Sequence, residues 1–255
     1  MLQQDLIRYL QEKILLKNEE LNLQEIQKDN GMVHIPVIRR TVRTRRRVAL
    51  LTVGLENNMS PDDYLLKLFT SPKAKKQLEI TDETYEWIRN GFVIREFRFE
   101  KDGLTVKKEQ YRMGLHLCRY KQELKKEQER EQAESFLQWV TAWNEIKDTL
   151  IPQDPKRTEA LHRLKELLDD VACTKDFKPI IPQWQFHKRL LFLHFLAAFY
   201  QISMTEHHFD WKEIGARYYR KIGGSKAFDA HKSEFIEVAE EVLDSPLHIL
   251  GLSSL

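Results

Sequence analysis

The apolar residues of this chain change their spacing once, near Arg112, and that change constrains the fold more than any other feature. Before it stand short runs rich in Val, Ile and Thr, separated by turn signals; after it, apolar residues recur at helical spacing almost to the end. A strand repeats its faces every two residues and a helix every 3.6, so the two patterns do not substitute for one another. The sequence therefore predicts an α+β protein, mainly α. It has an N-terminal helix, a small basic mixed segment with a β-hairpin, and a C-terminal helical bundle. The expected domains are residues 1–112 and 113–255, joined softly between Gly114 and Gln132. Only nine Gly and eight Pro in 255 residues agree with long helices and few connections.

In the first part, Leu2, Leu6, Leu10 and Ile14 mark an amphipathic helix predicted to run to about Gln27 and to stop at Asp29-Asn30-Gly31. MVHIPVIRRTVRTRRRVALLTVGL follows, with no acid from Met32 to Leu55, and reads as one or two strands, the second from about Arg45. Ser60-Pro61 signals a helix start, and short helices are expected over 74–78 and 82–89. FVIREFRFE and LTVKKEQYRM flank Lys101-Asp102-Gly103, a hairpin signal. Short helices followed by a charged hairpin form a winged-helix-like pattern.

In the second part, QELKKEQEREQAES reads as a solvated helix, and the FLQWVTAWNEIKDTL that continues it as a packed one. Further helices are expected over about 158–173, 183–202, 211–221 and 231–243. The most apolar stretch, Leu190 to Ile202, is about 13 residues, short of the roughly 20 a membrane span needs, and so predicts a buried core helix rather than membrane insertion.

The 41 Lys and Arg nearly balance 39 Asp and Glu, which excludes a generally basic molecule and makes any charge argument local. The local anomaly is Arg39, Arg40, Arg43, Arg45, Arg46 and Arg47, six arginines in nine residues. On one extended strand Arg39, Arg43, Arg45 and Arg47 share a face at intervals of about 6 to 7 Å, which matches successive phosphates of a nucleic-acid backbone. Val42 and Val48 then pack on the other face while Arg40 and Arg46 reach the rim. Each arginine offers a bidentate fork. Two readings stay open. The arginines bind nucleic acid, double-stranded DNA foremost, or they pair with acids of this chain or of a partner protein held by the N-terminal and central helices.

Lys107 and Lys108, with Arg95, Arg98 and Lys101, make the hairpin a second basic contact, although Glu96, Glu100 and Glu109 interleave as in a solvated ladder. Gly223-Gly224-Ser225-Lys226 invites anion binding through Ser225 and Lys226, against the reading of a turn between helices. No metal, cofactor or catalytic residue is expected: the histidine pairs lack chelating spacing and no nucleophile motif occurs. Two cysteines without Cys-x-x-Cys spacing and a charged N-terminus without a signal sequence suit a reducing cytoplasm.

The segment FDWKEIGARYYRKIGGSKAFDAHKSEFIEVAEEVL, with Ile-Gly-x-x-Tyr-Tyr, Gly-Gly-Ser-Lys and a second helix, resembles the region before the Toprim domain in nuclease subunits of Wadjet-type bacterial plasmid-defence systems. The resemblance covers Phe209 to Leu243. It implies a DNA-defence or mobile-element component that dimerises and contacts duplex DNA through a winged-helix-like part. The chain has no Asp-x-Asp and stops at Leu255, so nuclease activity is not implied. The expectation is the front part of a longer protein, or a relative whose catalytic partner is separate.

Overall fold

A computed structural model describes residues 4–41, 44–148, 155–175 and 183–253. The chain divides into two compact units, Met1–Glu127 and Gln128–Leu255. Their architecture is α+β and mainly α: among the described residues there are eight α-helices and one six-stranded antiparallel sheet.

The first unit is built on the sheet. Its strands are β1 (Glu19–Leu21), β2 (Gln27–Asp29), β3 (Met32–Arg40), β4 (Arg45–Gly54), β5 (Val93–Phe99) and β6 (Val106–Met113). The order is β1-β3-β4-β5-β6, and β2 also pairs with β3. Val33, Ile35 and Val37 of β3, Ala49, Leu51 and Val53 of β4 and Ile94 of β5 all turn to one buried face, as alternation requires. Helix α1 (Gln4–Tyr9) and a π-helical turn (Leu10–Ile14) cover that face with Leu6, Leu10 and Ile14. A strict four-residue repeat drifts around an α-helix of 3.6 residues per turn; the slower-winding π turn, closed by Leu15 N–H to Leu10 O at 3.0 Å, brings it back into line.

This helix is shorter than its apolar spacing predicts. It ends at Ile14, and the rest of the expected helix becomes β1 and β2. Asn30 and Gly31 both have positive φ (46° and 77°), so they form the tight turn of a β2–β3 hairpin instead of a helix stop.

Between β4 and β5 lie α2 (Asp63–Leu68) and α3 (Asp82–Arg89). The cap of α2 is Asp62, which accepts from Leu65 N–H at 2.7 Å, two residues beyond the expected Ser60. Thr81 caps α3. Residues 74–78 are not helical; Lys76 instead pairs its backbone with Tyr111 on the outer edge of β6, taking the chain into an extended contact. Leu65, Phe69, Trp87, Phe92 and Met113 form a second apolar cluster on this side of the unit.

Helix α4 (Leu115–Ile146) is 32 residues long and passes from the first unit into the second. Its turns from Gln122 to Glu131 are exposed, as the charged run requires. The second unit adds α5 (Pro155–Thr174), α6 (Phe186–Thr205), α7 (Trp211–Tyr219) and α8 (Lys232–Leu243). The centre is α6, where Phe192, Leu193, every residue from Phe195 to Tyr200, and Ile202 are buried; packed apolar side chains of this kind contribute about 1.5–3 kcal/mol each. Trp139 and Trp143 of α4, Leu161, Leu164 and Leu168 of α5 and Phe235 of α8 enclose it. Among the described residues no helix is long and apolar enough to cross a membrane.

The segment from Ile214 to Lys226 is a packing motif. A Cβ on Gly215 would lie 2.3 Å from Gly224 O, so α7 meets the following turn backbone to backbone. Tyr218 meets His194 Nδ1 at 2.7 Å, and Tyr219 packs on Phe228.

Candidate nucleic-acid interface

The Arg39–Arg47 segment is a hairpin. Thr41 N–H donates to Thr44 O at 2.8 Å, and the two threonine hydroxyls meet at 2.7 Å. Across the ladder Arg39 faces Arg46, Arg40 faces Arg45, and Ile38 faces Arg47 after a bulge beside Val37. The expectation of Arg39, Arg45 and Arg47 on one face is therefore corrected. Reversal of the chain puts Arg39 with Arg46, and Arg40 with Arg45 and Arg47. Val48 is buried at the bulge. Arg43, like Val42, lies outside the described residues.

The β5–β6 hairpin belongs to the same end of the sheet. β5 pairs with β4 from Ala49–Arg98 to Thr52–Arg95, so the hairpin is built into the sheet along that edge. Arg98 faces Lys108 on β6. Gly103, at the turn with φ 72°, lies where an added Cβ would stand 3.3 Å from Arg47 O, and the Arg47 guanidinium sits 4.8 Å from the centre of the Phe99 ring.

Two buried acids neutralise part of this cluster. Glu19 of β1, whose side chain is fully buried, accepts from Arg39 at 3.0 Å and Arg98 at 2.6 Å. Glu96, also fully buried, meets Arg98 at 2.5 Å and Arg112 at 3.4 Å, and accepts from Gln110 at 2.6 Å. Arg112 further donates to the carbonyls of Ile14 and Pro72. Burial opposes ionisation of Glu19, but hydrogen bonds from Arg98, Leu16 N–H and Arg39, with the Arg98 charge, hold its carboxyl below the usual carboxylate range. Burial likewise opposes the charge on Arg98, and its two acid partners outweigh it, raising its pKa.

Of the rest, Arg40, Arg45, Lys107 and Lys108 face water, while Arg46 and Arg47 are half-buried. Arg40 makes an exposed pair with Glu20 at 3.3 Å and Lys107 one with Glu100 at 3.6 Å, contacts that contribute about 0–1 kcal/mol and are easily exchanged for another anion. Among the described residues, Arg45, Arg46 and Lys108 have no carboxylate within 4 Å. The hairpin ladder also pairs internally, through Arg95 and Glu109 at 2.8 Å.

Arg39, Arg40, Arg45, Arg46, Arg47, Lys107 and Lys108 are thus brought to one sheet end. Ser225 and Lys226 belong to the second unit, in a short 3₁₀ turn (Gly224–Lys226) following Gly223 with φ 82°. Sequence reasoning missed Glu19, which it placed on a helix, and missed that Arg98 and Arg39 share that acid. The only available signal was the Asn-Gly turn, which would have reversed the chain and brought the β1–β2 region beside β3.

A cavity of about 400 Å³ in the first unit is lined by Leu55, Asn57, Met59, Phe92, His116, Arg119, Tyr120 and Glu123. Its ionisable groups are partly engaged: His116 Nδ1 bonds Asn90 O at 2.7 Å and Arg119 pairs with Asp5. Among the described residues no group of three or more His, Cys, Asp and Glu is arranged to hold a metal ion, and Cys118 and Cys173 are free thiols. Comparison with protein-family models, curated proteins and solved structures finds no match for this chain.

Proposed function

We propose that this protein binds nucleic acid, double-stranded DNA foremost, by holding backbone phosphates at the β3–β4 and β5–β6 end of its sheet. The observation that carries the reading is a division of labour among the cations. Glu19 and Glu96 occupy Arg39, Arg98 and Arg112, while at the sheet end Arg46 and Lys108 share the face of Arg39 and Arg98, and Arg45 takes the opposite face, all three without a carboxylate partner among the described residues. The buried set fixes the ladder; the unpaired set supplies forks and an ammonium for phosphate oxygens. The resemblance of Phe209–Leu243 adds a setting: a cytoplasmic component of a bacterial DNA-defence or mobile-element system, acting as a dimer. In this reading the chain is a binding component, and no reaction is assigned to it.

Three phosphate contacts predict a slope of about −2.7 in log K against log[salt], or about a fortyfold loss of affinity for a 30-base-pair duplex between 50 and 200 mM salt. Replacing Arg45, Arg46 and Lys108 together by Ala should flatten that slope toward zero in fluorescence anisotropy. Equal affinity and equal slope in wild type and triple variant would overturn the reading. An acidic partner protein captured by wild type and lost in the variant would then take its place.

A further inference from the structure

The β5–β6 turn carries an exposed apolar side chain among charges of both signs, Glu100 and Asp102 with Lys101 and Lys107, next to the arginine hairpin. Leu104 is 79% exposed, and Val106 beside it is 51% exposed. A lone exposed leucine is ordinary on a protein surface. This one differs because its backbone is fixed from several sides. Asp102 accepts from Leu104 N–H at 2.9 Å and Thr105 N–H at 3.0 Å, and also from the Thr105 hydroxyl. Glu100 N–H donates to Thr105 O at 2.9 Å and Gly103 N–H to Glu100 O at 3.1 Å. Gly103 rests against the backbone of Arg47, whose guanidinium covers Phe99. The turn therefore presents Leu104 on a rigid tip joined directly to the arginine hairpin, with Lys101 and Lys107 on either side.

We propose that Leu104 is an apolar wedge that enters the minor groove of the bound duplex and opens one base step. The inference rests on the phosphate-binding reading above and adds the form of DNA recognised. Three physical points favour it. The minor groove is about 6 Å wide, which admits a turn tip but not a helix. Its potential attracts arginine, and Arg45 and Arg46 are carried by the adjoining hairpin. Unstacking a step costs a few kcal/mol, so a wedge needs a stiff mount, which the Asp102 bonds provide.

The test uses the full chain and a 30-base-pair duplex labelled at both ends for energy transfer, with anisotropy measured in parallel. Wild type should shorten the end-to-end distance and bind a duplex with a central mismatch about tenfold more tightly than the matched one, because the mismatch lowers the cost of unstacking. Leu104→Ala should keep the wild-type melting temperature and salt slope but lose both the bend and the mismatch preference. Leu104→Phe, which keeps a wedge, should retain both. Salt-dependent binding by wild type with an unchanged end-to-end distance would overturn the wedge and leave the phosphate contacts standing. Bending by Leu104→Ala equal to wild type would do the same. Absence of salt-dependent binding by wild type would remove the phosphate reading and the wedge together.

Discussion

Replacing Glu19 by Gln should move stability and DNA affinity in opposite directions. The fully buried carboxylate accepts from Arg39 at 3.0 Å, Arg98 at 2.6 Å and Leu16 N–H at 3.0 Å. Glutamine keeps the shape and one acceptor but removes the charge and turns an amide toward a guanidinium. Breaking a buried ion pair from one side costs about 3–5 kcal/mol. Because Arg39 is 36% and Arg98 15% exposed, water takes up part of the loss, and the lower end, about 3 kcal/mol, applies. That is a large part of the 5–15 kcal/mol of a typical domain, so the first unit should stay folded at 25 °C but melt roughly 10 °C lower. The same change leaves two guanidinium groups without their shared acid at the proposed phosphate-binding end. The salt slope for duplex DNA should steepen by about 0.9 for each that now reaches a phosphate. Amide exchange of β3 and β5 reports the stability and anisotropy at 50 mM salt the affinity. Unchanged exchange would show that the network does not hold the sheet. Weaker binding by a variant still folded at the assay temperature would refute the placement of these arginines beside the DNA.

Two further perturbations test the second unit. Gly215→Ala should cost several kcal/mol, because its Cβ would stand 2.3 Å from Gly224 O and backbone has to move; a thermal melt within 2 °C of wild type, where each kcal/mol shifts a domain of this size by about 3–5 °C, would contradict the close contact. Burial pulls His194 down to about 4, from an ordinary value of 6.5, so it stays neutral in the fold while the unfolded chain takes up a proton below pH 6.5. Stability should thus be complete above pH 6.5 and fall by up to about 3 kcal/mol as the pH drops to 4, above the window in which the Glu19 pairs are lost. His194→Gln should flatten that branch in denaturant titrations followed by tryptophan fluorescence, since four of the five tryptophans lie in the second unit.

What could be read in the sequence follows the range of the interactions that decide it. Helices α5 to α8 are legible because each shows its buried stripe within its own residues, and the apolar run of α6 betrays a helix enclosed on all sides. Helix α3 and the β5–β6 hairpin carry local stop signals, Asn90-Gly91 and Asp102-Gly103, that the fold uses as such. The N-terminal region misleads, because Leu2, Leu6, Leu10 and Ile14 set a helical period that the chain abandons at Ile14 when β3 offers an edge to pair with. Residues 74–78 likewise yield to the exposed edge of β6 at Tyr111. At the candidate site the arginines are visible as composition. Which of them are already paired depends on Glu19 and Glu96, partners brought close by sheet register and distant in sequence. Charge counting along the chain cannot separate Arg39, which shares a buried acid, from Arg46, which faces it across the ladder.

The π turn at Leu10–Ile14 gives the start of the protein a place that can absorb a change of length. Such a turn is an α-helix with one residue more than its pitch needs. A single deletion within it would restore regular winding and leave Gln4–Tyr9 on nearly the same face, because four α-helical residues turn through about 400°, close to what the five residues of the slower π turn achieve. Leu6 and Tyr9, both buried, would stay over the core, and the Tyr9 hydroxyl would keep its 2.8 Å bond to Met113 O. Loss of one residue should therefore be tolerated within the π turn far more readily than within Gln4–Tyr9, where it would turn the residues before it by about 100°.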